Sequence, residues 1–163
     1  MTDGRPGAPW WQIVTEGDLH RRRVRRAQAD AVAVRRVRGR RTATQAGLFT
    51  EFALGWEFPD YFGHNWPALE DCLTDLAWVP APGYLCVIDH AEALLEDEPP
   101  VAMAVLTDLL TRVGAYWVAP IALGEAWDRP AKPFRTLLLA GTPGGAARIR
   151  DRLHIAGVPD PGT

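Results

Sequence analysis

Histidine close to carboxylate is the first chemistry this chain offers. His64 lies between Asp60 and the Glu70, Asp71 pair, and His90 follows Asp89, so either group contains a general acid and a general base. Nothing around them completes a catalyst. There is no nucleophile motif, and TPGGA at 142–146 has neither the lysine nor the spacing of a phosphate-binding loop. The four histidines and two cysteines show no metal-ligand spacing. These residues predict no enzyme, no metal and no cofactor. What stands out is where the carboxylates sit: Glu70, Asp71 and Asp75 fall in residues 58–76, FPDYFGHNWPALEDCLTDL, a segment without Lys or Arg. A carboxylate held on a helix can form charge-assisted hydrogen bonds with a cationic partner.

The same segment carries the signals that would position those groups. Phe58 before Pro59 favours a turn or extended backbone, and Gly63 supplies freedom for a reversal beside Tyr61 and Phe62. Asn65 is a candidate N-cap, and Pro67 suits a first helical turn, where its missing N–H costs little. Helical spacing puts Leu69, Cys72, Leu73 and Leu76 on one side and Pro67, Glu70, Asp71 and Thr74 on the other. The first set is expected to pack, and the second to face outward.

Charge is unevenly distributed along the chain although the formal net charge is only −2. Residues 42–111 hold twelve acids and no Lys or Arg, whereas ten arginines crowd residues 21–41. A one-signed field accelerates encounter with a partner of the opposite sign, so the acidic stretch predicts a basic protein partner.

On the residues Pro59, Tyr61, Phe62, Gly63, Asn65, Ala68, Leu69, Asp71, Cys72 and Leu73, the chain resembles the barstar family, small intracellular proteins that block secreted bacterial ribonucleases. The likeness is expected to span residues 31–140. It implies a 1:1 complex with a basic ribonuclease, Tyr61 as an aromatic contact, and Asp71 as the carboxylate entering the enzyme's phosphate site. Phe62, Gly63 and Asn65 would complete the binding loop, with Thr74 and Asp75 further along the helix. Two positions depart from the family pattern. Pro67 stands where an acid is common, and Glu70 stands where a tryptophan is common, so Glu70 restores charge one turn along. Asp108 is the expected further acid from a later helix. An alternative keeps this fold for another basic protein or toxin.

The remaining pattern predicts strands at 31–37, 83–89 and 134–140, with helices at 44–56, from Pro99 to Gly114, and from a Thr142 cap to about Ile155. Strands alternating with helices imply a small three-stranded parallel sheet in an α/β fold, with 116–122 as a possible extra edge strand because Pro120 is tolerated there. Residues 1–30 would form an Arg-rich extension, in which Thr15 caps a helix, and 141–163 a C-terminal helix and tail exposing Arg148, Arg150 and Arg152. The arginine-rich opening raises RNA binding as an alternative, but no zinc-finger or RNP pattern supports a dedicated nucleic-acid module. Residues 1–11 lack the regions of a signal peptide and no apolar stretch nears twenty residues, which predicts a cytoplasmic protein with no membrane partner. Cys72 and Cys86 are expected to be buried free thiols, and the seven tryptophans to be core or interface anchors.

Overall fold

The computed structural model describes residues 9–161, so residues 1–8, which carry most of the signal-peptide argument, lie outside it. Four parallel strands form one sheet in the order β1-β4-β3-β2, with β1 at Trp11–Thr15, β2 at Ala33–Arg38, β3 at Tyr84–Asp89 and β4 at Phe134–Ala140. Five helices connect or follow them: α1 Asp18–Ala29, α2 Gln45–Trp56, α3 Trp66–Asp75, α4 Val101–Val118 and α5 Pro143–Ile155. Parallel pairing forces each connection to cross a sheet face, and the helices make those crossings.

Alternation along the strands divides the interior in two. Tyr84, Cys86, Ile88, Phe134 and Leu138 point to the face covered by α2, α3, α4 and α5, where the large core lies. Leu85, Val87, Leu137 and Leu139 point to the other face and meet Val24 of α1. β3 is buried along most of its length, as a central parallel strand covered on both faces should be.

The fourth strand corrects two expectations. It comes from Trp11–Thr15, which pairs with β4, and not from 116–122. Thr15 ends this strand, and Gly17 occupies the N-cap of α1 instead. The segment read as an extension therefore supplies one sheet edge and the cover of one sheet face. Tyr116 to Val118 form the last turn of α4, which runs on past the expected stop at Gly114. Gly114 serves a close approach: a Cβ there would stand 2.7 Å from the Trp10 ring. The buried face of α4 carries Ala102, Met103, Leu106, Leu109, Leu110, Val113 and Trp117, while Val101 is exposed.

α4 is apolar and long enough to cross a membrane by those two measures alone, with a mean hydropathy of 1.3 over 18 residues. Its burial against the sheet accounts for that character. α5 packs Ala146, Ile149 and Leu153 into the large core, and Thr142 caps it as expected. Arg152 is half-buried and donates to the carbonyls of Glu92 (3.2 Å) and Leu94, so only Arg148 and Arg150 keep the expected exposure. Cys72 and Cys86 are free and buried; desolvation pushes the Cys86 thiol up to about 12, against the pull of nearby Trp56 and Thr136.

Candidate functional site

The site begins where α2 ends. Glu57 takes a left-handed conformation (φ 54°), and a turn closed by the Phe62 N–H on the Pro59 carbonyl (3.0 Å) follows. The aromatic pair splits across this turn. Phe62 goes inward, edge-on to Phe58 at 4.9 Å and to Phe49 at 6.4 Å, while Tyr61 stays 71% exposed. Phe62 thus supports the loop from below and offers little surface of its own. The backbone reverses at His64 (φ 51°), not at Gly63. Gly63 answers a different need, because a Cβ there would press within 3.2 Å of Asn65 Nδ2 and 3.4 Å of Ala68 Cβ.

Asn65 joins loop to helix. Its Oδ1 accepts from the Ala68 N–H at 2.9 Å and its Nδ2 donates to the Gly63 carbonyl at 3.2 Å. The first bond fills one of the donors left open at a helix start, and the second fixes the entering loop. Pro67 lies in the first turn, exposed. Leu69, Cys72, Leu73 and Leu76 are buried, so the opposite face of α3 carries Glu70, Asp71, Thr74 and Asp75 as the spacing requires.

These acids are not equivalent. Both Glu70 oxygens accept from Arg112 of α4, at 2.9 Å from Nε and 2.8 Å from Nη2, and Asp108 pairs with the same guanidinium. Arg112 holds the Glu70 carboxyl below the usual carboxylate range, chiefly by hydrogen bonding, with burial opposing. Asp71 is exposed and has no side-chain hydrogen bond or ion pair among the described residues. Asp75 is exposed near Tyr61, whose phenol is pushed up by partial desolvation and then by the Asp75 carboxylate. Thr74 turns its hydroxyl back onto the Glu70 carbonyl at 2.8 Å.

The fold therefore brings Tyr61, Pro67, Glu70, Asp71, Thr74 and Asp75 to one surface, with Asp108 beside them on α4. It also brings a cation there that the sequence run conceals. Arg112 stands just after the cation-free stretch, and its spacing of four from Asp108 was readable as a helix pair. Its reach to Glu70 needed the packing of α3 on α4.

Sequence reasoning also missed a groove of about 400 Å³ beside α3. Asp71, Thr74 and Asp75 form one wall; Tyr116, Trp117, Ile121, Trp127 and Arg129 form the other. Trp117 is anchored by donating its indole N–H to the Leu73 carbonyl at 2.7 Å. Among the described residues no group of three or more His, Cys, Asp or Glu is arranged to hold a metal ion.

A loop led by an exposed tyrosine, a capped helix and an unpaired aspartate form one exposed aromatic and acidic surface. Over residues 32–138 the chain matches the family model described as Barstar (barnase inhibitor). The chain belongs to the barstar family, a family of inhibitors of barnase-type ribonucleases. No curated protein and no solved structure matches it.

Proposed function

We propose that this protein inhibits a basic secreted ribonuclease by covering its active site, one molecule to one, with the loop and helix from Tyr61 to Asp75. It acts in the cytoplasm without catalysing a reaction or using a cofactor. The observation that carries this reading is Asp71: an unpaired carboxylate on the outer face of a helix whose inner face is locked in the core. A ribonuclease holds an anionic phosphodiester with cationic side chains, and a rigid carboxylate meets the same groups without ordering cost. Asp71→Ala should weaken binding by on the order of 2 kcal/mol or more, as expected for an interface hot spot. Glu96→Ala, an exposed acid on the turn before α4, should change it by about 0.5 kcal/mol or less. Kinetic binding against a panel of basic ribonucleases checks both, and association should slow as salt rises. Inhibition that survives Asp71→Ala would sink this mechanism, and no binding to any ribonuclease of the panel would leave the fold to another basic protein or toxin.

A second reading rests on the arginines. Arg22, Arg25, Arg36, Arg40 and Arg41 are exposed and have no acidic partner within 4 Å among the described residues. RNA binding through them is tested by a gel shift with Arg22→Ala/Arg25→Ala. Deleting the N-terminal segment is unsuitable, because it would remove β1 and α1 from the sheet.

A further inference from the structure

The connection between α4 and β4 is held with more care than a plain linker needs. Ile121 and Arg129 exchange two backbone hydrogen bonds of 2.9 Å, and the Asp128 carboxylate accepts from the N–H groups of Leu123 (2.9 Å) and Gly124 (2.7 Å). Arg129 donates to the carbonyls of Tyr116 (2.9 Å), Ala119 (3.1 Å) and Trp117 (3.2 Å), while its guanidinium carbon lies 4.6 Å and 4.5 Å from the ring centres of Tyr116 and Trp117. All this order surrounds a side chain that uses none of it. Trp127 is 64% exposed, with no ring contact or indole hydrogen bond among the described residues. A rigid loop presenting an unpartnered tryptophan has already met the ordering cost of a contact it does not make internally.

We propose that the groove between α3 and this loop receives an arginine side chain of the basic partner, with Trp127 as its aromatic wall and Asp75 as its acidic one. The proposal rests on the inhibitor reading above and extends that interface beyond the C-terminal half of α3. The groove is continuous with the candidate site, since Asp71 contributes to both. Its two walls suit the two properties of a guanidinium, charge on the acidic side and a flat, weakly hydrated face on the aromatic side. Arg129, itself in the lining, already lies over Tyr116 and Trp117 with its donors directed at carbonyls, so Trp127 is the ring left to an incoming cation, and Asp71 and Asp75 outnumber that one guanidinium.

Barnase, named in the family description, is the probe, with the full chain and single variants measured for association and dissociation. Trp127→Ala should weaken the complex about tenfold, mainly through faster dissociation, and leave thermal unfolding unchanged. Leu123→Ala, on the same loop, 73% exposed and outside the groove, should stay within about twofold. Asp75→Asn should slow association and flatten its salt dependence. With each arginine of barnase changed in turn to alanine, at least one should show a non-additive effect with Trp127→Ala. Loss of binding with Asp71→Ala, but none with Trp127→Ala, overturns the groove and keeps the inhibitor reading. Trp127 coupled to no arginine also overturns the groove, as does a dimer in sedimentation that Trp127→Ala dissolves. Full binding by Asp71→Ala, or no binding by the unaltered chain to barnase or to any ribonuclease of the panel, overturns both.

Discussion

With both oxygens of Glu70 and one of Asp108 engaged by a single guanidinium, the outer face of α3 shows a partner less negative charge than its sequence carries. Arg112→Ala would release both acids. Association with a basic protein should then accelerate by about two- to threefold at low salt, since on-rates follow the local field. The same change should cost about 0.5–1 kcal/mol of stability, measured by urea unfolding, because the pair is partly exposed. The Glu70 carboxyl titrates below its ordinary range in the folded chain, so its contribution is complete above about 4.3 and is lost as pH falls through the lower folded value. Stability curves of the unaltered chain and Glu70→Gln should differ at neutral pH and converge on acidification. Which acids are free was not legible in a one-dimensional charge map, for Arg112 and Glu70 are distant in sequence and meet only where α4 packs on α3.

At the scale of elements, the starts of α2, α3 and α5 were legible, whereas the Thr15 start expected for the first helix was not, because Thr15 belongs to β1. Thr44, Asn65 and Thr142 each accept from the N–H three residues on, because short polar side chains satisfy donors that a helix leaves open. Asn65→Ala removes both the cap of α3 and the bond to Gly63. It should cost about 1 kcal/mol by thermal unfolding and weaken partner binding beyond that share, since the Tyr61 loop loses its tie. Helix ends were harder to read. The run at 116–122 has the composition of a strand, yet Arg129 satisfies the last carbonyls of α4 and the Trp117 indole bonds α3, so its first three residues belong to the helix. That competition is decided by residues far along the chain.

For the whole molecule, the sheet separates the arginine-rich α1 from the acidic α3. α1, with exposed Arg21, Arg22, Arg25 and Arg26, covers one face, and α3, whose outer face carries Glu70, Asp71 and Asp75, lies on the side of the other. Under the proposed function a basic partner would be steered toward α3 and away from α1, and raising the salt should weaken this bias. The sheet also makes the N-terminal strand essential to the fold. Trp11 is 5% exposed in the large core, and β1 pairs along its whole length with β4. Trp11→Ala should cost about 3–5 kcal/mol in denaturant unfolding, the loss expected for a buried tryptophan and not for a dispensable arm.

Much of the local order in this protein is determined by sequence alone: the caps of α3 and α5, the apolar run of β3 and the two faces of α3 follow from contacts within a few residues. The family pattern around Asp71 is local in the same sense, and therefore readable. Only the tertiary structure decided that Trp11–Thr15 completes the sheet, that Arg112 takes Glu70 and Asp108 while Asp71 stays unpaired, and that Trp127 stands across a groove from Asp75. Each of these joins groups far apart in the chain. Sequence spacing carries little information about such contacts, because close approach there is set by how helices pack on a common sheet.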